Sequence, residues 1–292
     1  MRVAVLAALA MIAFAANSVL ARLALGGGDM SGIGYTGVRL IAGAITLAAI
    51  VYARAQRSGR PRMTIGGSWR GAAALLGYAL PFSIAYVVLG AATGALILFA
   101  SVQIGMLAWA IMNGDRPGLP EWLGFGVAFA ALVLLVSPGL VAPPPLGTVL
   151  MAAAGLCWAV YSLLGRGSHA PLADTAGNFV RCLPIGVGLA VAGALTHTNT
   201  TAGLAFAIAS GAVASGMGYA VWYTVLPSLT RTGAAFVQLT VPAIAAAGGV
   251  LFISEQLTGR LILCSAGILG GVALALFAAN RRKARASRAN PT

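Results

Sequence analysis

Acid is what this sequence lacks most. Asp and Glu number 5 among 292 residues, against 18 Lys and Arg, and charged residues of either sign make up only 8%. Soluble globular chains carry about 25% charged residues, so an ordinary water-facing surface is excluded. Histidine is nearly absent: His169 and His197 both fall in predicted loops. The three cysteines, Cys157, Cys182 and Cys264, stand far apart inside apolar runs and form no CxxC. They read as small core residues, and neither a metal-ligand cluster nor a disulfide framework is encoded. No GxSxG or HExxH occurs, so an intramembrane enzyme has no nucleophile or metal site to use. No cofactor is implied.

What is present is apolar. Hydrophobic residues make up 60% and mean hydropathy is +0.93, which places the chain in a bilayer. Glycine, at 39 residues, suits helices that pack closely in lipid. At about 20 residues per crossing, ten spans are expected: 3–24, 31–53, 71–91, 93–113, 121–138, 146–165, 174–195, 203–224, 232–253 and 260–279. The run from Gly71 to Asn113 is too long for one crossing, and "GAATGA" (Gly90 to Ala95) supplies a hairpin. "PSLTRTG" (Pro227 to Gly233) does so later. Near the N-terminus "AFA" (Ala13 to Ala15) imitates a signal-peptidase site. The apolar run continues to Leu25 and recurs later in the chain, so the expectation is a retained first span.

The net charge of +13 could signal nucleic acid, but the basic residues lie between apolar runs, with no aromatic interleaving. Topology is the better reading. With the N-terminus inside, fourteen basic residues fall on inner segments, among them Arg2, Arg54, Arg57, Arg60, Arg62, Arg70, Arg116, Arg166, Arg231 and the tail from Arg281. Only Arg22 and Arg260 fall at outer ends. The positive-inside rule then puts both termini in the cytoplasm of a bacterial inner membrane. The lipid bilayer is one partner; nucleic acid is not.

The two halves echo each other. "FAANSVLAR" (Phe14 to Arg22) resembles "WAVYSLLGR" (Trp158 to Arg166); "VRLIAG" from Val38 resembles "VRCLPIG" from Val180. "TGALILFASV" from Thr93 resembles "TGAAFVQLTV" from Thr232. Offsets near 140 residues divide the chain into a first five-helix unit (1–138), a connecting loop (139–145), a second unit (146–280) and a basic tail (281–292). Five spans per half means that the second enters the membrane from the opposite side. The expected fold is an all-α polytopic membrane protein: ten transmembrane helices as two inverted five-helix repeats around a central cavity.

Candidate cavity residues come from polar and aromatic side chains inside spans. Phe14, Asn17 and Ser18 share one helix face, and Trp158, Tyr161 and Ser162 share the matching face of the copy. Either they face a central pocket, or their polar groups clamp helices together. Tyr78, Phe82 and Tyr86 recur at four-residue spacing beside Pro81; Tyr219, Trp222 and Tyr223 form a second aromatic group. Packing competes with binding for both groups, and Tyr86 or Tyr223 could join an interfacial belt. Phe99, Ser101 and Gln103 lie in span four; Gln238 and Thr240 lie in span nine. Glutamine in an apolar core must be paired or wet, so Gln103 and Gln238 are polar candidates for a substrate carboxylate or amine. Pro81 and Pro242 are candidate kinks or hinges. Arg39 and Arg181, the in-span cations, could hold a substrate α-carboxylate, but the favoured reading is snorkelling or structural pairing. No carboxylate lies mid-span, which predicts weakly coupled or facilitated transport.

The ninth and tenth spans read P-x-x-A, then G-G, then E-Q-L-T, then G and G-G: Pro242, Ala245, Gly248, Gly249, Glu255 to Thr258, Gly267, Gly270 and Gly271. This resembles the repeat signature of the drug/metabolite transporter superfamily, in its EamA branch. The likeness extends over nearly the whole chain. In the first half Gln103 stands where the proline would fall, and Asp115 replaces the glutamate. Within the family the chain looks most like bacterial aromatic amino acid exporters of the YddG type. The resemblance implies a ten-span secondary transporter that works by alternating access, needs no cofactor and functions as a monomer. A pocket of rings and amides with few charges suits small amphipathic metabolites, aromatic amino acids foremost. The alternative is a broad-specificity exporter of drugs or other amino-acid metabolites.

Overall fold

Runs of apolar residues long enough to cross a bilayer must satisfy their own backbone groups, and helices do so within one segment. The computed structural model describes residues 2–57, 65–114, 116–137, 142–165, 168–229 and 237–289. In chain order the helices are α1 (Arg2–Leu25), α2 (Gly32–Arg57), α3 (Trp69–Tyr86), α4 (Ala91–Met112) and α5 (Leu119–Val136). Then come α6 (Pro145–Leu164), α7 (Pro171–Thr196), α8, α9 (Thr240–Ile253) and α10 (Gly259–Ala289). Helix α8 is composite: Thr201–Ala209 is α-helical, Ser210–Met217 is π-helical, and Gly218–Val225 is α-helical again. No strand occurs among the described residues. Seven of the helices are long and apolar enough to cross a membrane.

Local chemistry starts the helices. Pro120, Pro145 and Pro171 occupy first-turn positions of α5, α6 and α7, where a missing N–H costs nothing. Ser68 and Thr200 accept hydrogen bonds from the amides of Gly71 and Gly203, each at 3.0 Å.

Three expectations shift. The third span ends at Tyr86 rather than 91, because the amides of Val87, Val88 and Leu89 fold back onto Ile84 and Ala85 carbonyls at 2.9–3.2 Å. The turn is therefore Val87 to Gly90, and the rest of "GAATGA" is already helix α4. The second difference lies at the C-terminus. Helix α10 continues through the basic segment to Ala289, since Ala, Arg and Lys are strong helix formers. The third is the unforeseen π-helical segment. Asp115, Arg166, Arg231, Phe236, Arg60, Arg62 and the end of the Pro227–Gly233 hairpin lie outside the described residues.

Large apolar side chains turn outward, including Leu123 and Phe129 on α5, Val187, Val191 and Leu195 on α7, and Leu251 and Phe252 on α9. Against lipid tails this costs nothing, and the chain is a multi-pass membrane protein. Inside, small residues bring backbones together. A Cβ on Gly37 of α2 would fall 2.4 Å from the Gly186 carbonyl of α7. One on Gly124 of α5 would fall 2.6 Å from the Gly271 carbonyl of α10. The principal packing partners are α2 with α7 and α8, α5 with α10, α3 and α4 with α6, and α8 and α9 with α1.

Candidate functional site

Where α1, α3, α4, α6, α7 and α8 converge they leave a cavity of about 540 Å³. Phe14, Asn17 and Ser18 line it from α1, Tyr78 and Phe82 from α3, and Phe99 from α4. Trp158, Tyr161 and Ser162 line it from α6, Tyr219, Trp222 and Tyr223 from α8, and Gln238 from just before α9. The repeated face read from sequence thus supplies both α1 and α6.

Three sequence candidates stand elsewhere. Ser101 lies two residues from Phe99, about 200° round a helix. It is buried against α6, where a Cβ on Gly155 would fall 2.6 Å from its own Cβ. Thr240 is likewise two residues from Gln238; it is exposed, and its hydroxyl donates to the Val237 carbonyl at 2.7 Å. Gln103 is half-buried one turn beyond Phe99, outside the lining. Pro81 is inside α3. Pro242 follows a turn at Leu239 that interrupts the helix. This is the expected consequence of a residue with no N–H, whose ring crowds the carbonyl four residues back.

The wall is mostly aromatic. Trp158 stacks on Tyr219 (5.9 Å between centroids, 22° between planes), and Tyr219 stacks on Tyr223 (6.1 Å, 17°). Tyr78 lies 4.8 Å from Trp158, and Phe14 lies 5.5 Å from Tyr219. A few polar groups interrupt these rings. Asn17 accepts at Oδ1 from the hydroxyls of Ser210 (2.8 Å) and Ser215 (3.3 Å) of the π-helical segment. Behind the wall sits Arg39, whose Nη2 donates to the Tyr78 hydroxyl at 2.9 Å.

Toward one end the lining becomes polar in a way that sequence reasoning missed. Asp174, Thr175 and Asn178 of α7 join it with Gly67, Ser68 and Ser168. The Tyr161 hydroxyl donates to Thr175 (3.3 Å) and Thr175 to the Tyr223 hydroxyl (3.2 Å). The Ser68 amide donates to Asn178 (2.9 Å) and the Gly67 amide to Asp174 (2.8 Å), and Ser168 also bonds Asp174. Gly67 has φ +78°, and a Cβ there would meet Asn178 Oδ1 at 2.5 Å, so only glycine fits. The signal was available: Asp174 and Asn178 are four residues apart, on one face of the first turns of α7.

The cavity reaches the exposed residues Leu164 and Gly165 at that end. The opposite end is closed by Tyr86, Leu89, Ala91, Ala21, Ala24 and Leu25, all fully buried. Glu255 seals it. Its carboxylate accepts from the amides of Ala91 (2.7 Å) and Ala92 (3.4 Å) and lies 3.8 Å from Arg22, which also donates to the Val87 carbonyl at 3.1 Å. Gly249 gives it room: a Cβ there would fall 2.6 Å from Glu255 Oε2. Two features of the E-Q-L-T motif therefore have structural roles, the acid at the α4 N-terminus and Thr258, whose Oγ1 accepts from the Leu261 amide at 3.2 Å. Among the described residues no group of His, Cys, Asp and Glu could hold a metal ion.

Known proteins share these features. Residues 145–277, from α6 into α10, match the EamA-like transporter family. An uncharacterized protein of Pseudomonas aeruginosa is 46% identical over 97% of this chain and 98% of its own length. Threonine/homoserine exporters named RhtA are 31% identical in Salmonella typhimurium and 30% in Escherichia coli. Both cover 81% of this chain and 79% of their own. A solved crystal structure shares the fold, with a TM-score of 0.63 at 21% identity, covering 94% of this chain and 97% of that one. By this family match and these relatives, with ten packed helices among the described residues, the chain belongs to the EamA-like transporter family of the drug/metabolite transporter superfamily, and is a transporter rather than an enzyme.

Proposed function

We propose that the protein exports small amphipathic metabolites, aromatic amino acids and related compounds foremost, across the bacterial inner membrane. One observation carries this reading: the stacked wall of Trp158, Tyr219 and Tyr223, closed by Phe14, Tyr78 and Phe82. Flat rings offer large apolar contact with a face that a second ring can stack on. A cavity of about 540 Å³ falls within the range of about 300–1,000 Å³ that small-molecule sites occupy.

The mechanism is alternating access by two inverted halves. The packing pattern supports it. Exchanging the halves (α1 for α6, α2 for α7, and so on) returns the pairs α2–α7 and α5–α10 to themselves. It also turns α3–α6 and α4–α6 into α8–α1 and α9–α1, all of which are packed pairs. Arg54 and Arg57 end α2, Arg70 begins α3 beside the cavity residues Ser68 and Gly71, and Arg54 donates to Thr224, next to the cavity residue Tyr223, which supports an inward-open state with both termini cytoplasmic. Asp174, the acid at the mouth, is tied to Gly67 and Ser168 rather than set in mid-span. Transport is therefore facilitated, without obligatory proton coupling, and the monomer suffices. Pro81 and Pro242 serve as hinges.

A second reading has its own support: the RhtA relatives are threonine/homoserine exporters, so a smaller aliphatic amino acid is the alternative cargo. Uptake of labelled tryptophan and threonine into proteoliposomes separates the two. The expected result is tryptophan uptake that persists without a pH gradient and falls at least tenfold in Trp158→Ala, with a smaller loss in Gln238→Ala. Threonine uptake without tryptophan uptake overturns the aromatic reading.

A further inference from the structure

Arg39 is 2% exposed. A guanidinium so deeply removed from water ordinarily pairs with a carboxylate, and here the described acids are all engaged elsewhere. Glu121 pairs with Arg282 and Glu255 with Arg22; Asp174 holds the Gly67 amide, and Asp29 accepts from the Thr200 hydroxyl. Arg39 is instead held by neutral groups. Nη2 donates to the Tyr78 hydroxyl (2.9 Å) and Nε to the Ser215 hydroxyl (3.4 Å). The guanidinium lies over the rings of Phe82 (4.8 Å) and Tyr78 (5.2 Å), and Nη1 has no hydrogen-bond partner among the described residues. The positive charge stands one layer behind the cavity wall without a counter-ion among the described residues.

The direction of each hydrogen bond then matters. Because the Tyr78 oxygen accepts from Arg39, its own hydrogen is left to donate, and Tyr78 lines the cavity. Ser215 accepts from Arg39 and passes its hydrogen to Asn17 Oδ1, which also takes the hydrogen of Ser210. Asn17 is thereby oriented with its carbonyl toward the π-helical segment, which leaves its amide hydrogens for the cavity that it lines. Two donors, polarised by one uncompensated cation, complement an anion and repel a cation.

The geometry points to a carboxylate subsite at the Tyr78–Asn17 wall, with Arg39 as its positioning residue. This assigns the substrate class of the proposed cavity as carboxylate-bearing and rests on that cavity being the substrate site. Rings of the wall hold the side chain; the Tyr78 hydroxyl and the Asn17 amide hold the carboxylate. Arg39 touches neither part of the cargo. It sets which atoms of Tyr78 and Asn17 face inward, and it supplies the field.

Two ligand pairs test this in the purified full chain by isothermal titration calorimetry: L-phenylalanine with L-phenylalaninol, and L-threonine with L-threoninol. Each alcohol keeps the ammonium and the side chain and lacks only the carboxylate. In the pair that binds, the acid is expected to bind at least about tenfold more tightly than its alcohol, the scale of a hydrogen bond to a charged group. Arg39→Met and Tyr78→Phe should bring that ratio close to one, and Arg39→Lys should restore part of it. A purely structural role for Arg39 weakens acid and alcohol alike, so the ratio is the readout. Should Arg39→Met not fold, Tyr78→Phe leaves the buried cation in place and carries the test. Equal affinities of acid and alcohol in the wild type overturn the subsite, as does a ratio unmoved by both substitutions. A threonine pair that shows the ratio beside a silent phenylalanine pair upholds the subsite and overturns the aromatic cargo. If neither acid binds, both fall.

Discussion

Glu255 shows how one side chain can hold a gate. Its carboxylate meets the first two amides of α4, where the unsatisfied N–H groups and the helix dipole both favour negative charge. Arg22 from α1 adds a second tie at 3.8 Å. Removing the acid leaves the α4 amides and Arg22 without it at a mostly buried end. Glu255→Ala is expected to lower stability by about 1–3 kcal/mol, read as a lower melting temperature of the detergent-solubilised protein. Glu255→Gln should lose less, because its amide oxygen still accepts. A melting curve for Glu255→Ala that overlays the wild type excludes this role. The acid's position was legible from sequence, since it ends an apolar run in a recognisable motif. Its partner was not: Ala91 is 164 positions away. The same division holds in the cavity. Phe14, Asn17, Trp158 and Tyr161 were legible because helical spacing and a repeat marked their face. Ser101 and Thr240 misled because only residues three or four apart share a helix face. Arg39 was legible as an in-span cation, but its carboxylate-free setting was not, because that depends on Tyr78 and Ser215 from other helices.

Helices meet here through glycine, and close approach distinguishes a glycine that matters from one that does not. A Cβ on Gly124 of α5 would fall 2.6 Å from the Gly271 carbonyl and from the Ala275 amide nitrogen of α10, whereas a Cβ on Gly126 meets nothing within 4 Å. Gly124→Leu should therefore push the two helices apart and cost at least about 1–3 kcal/mol, while Gly126→Leu on the same helix faces lipid and should be nearly neutral. Melting temperatures of the two variants in matched detergent check this; equal losses would mean that the close approach of Gly124 to Gly271 does not set the outcome. Element identity was legible because apolar runs of bilayer length have few alternatives. Element ends and irregularities were less so. The α3–α4 turn formed at Val87 to Gly90 because backbone amides folded back there, and no residue type announced it. The π-helical turn at Ser210–Met217 depends on packing. A Cβ on Gly211 would fall 2.3 Å from the Arg39 carbonyl, so α2 presses on α8 where its ladder widens.

At the scale of the molecule, the proposed alternating access requires two states, and a cavity open at one end and closed at the other is one of them. The two must interconvert, and each must be favoured or disfavoured by contacts made only in it. The Glu255–Arg22 tie is the contact proposed to do so at the sealed end. Ser18, in the cavity wall, reports which end is open. In a variant with Cys157, Cys182 and Cys264 replaced by alanine, Ser18→Cys should react with a membrane-impermeant maleimide from the side that carries the C-terminus. It should react slowly from the other side. Adding Glu255→Ala removes a tie worth about 1–3 kcal/mol, which shifts the balance by roughly five- to 150-fold toward the state open at the far end. Labelling of Ser18→Cys from that side should then rise at least about fivefold, while labelling of a cysteine placed on outward-facing Leu195 stays unchanged. Equal labelling from both sides before Glu255 is altered would mean that the far end is not sealed in the membrane. Unequal labelling that Glu255→Ala leaves untouched would mean that the seal lies in the apolar packing of Tyr86, Leu89 and Leu25, with the carboxylate only capping α4.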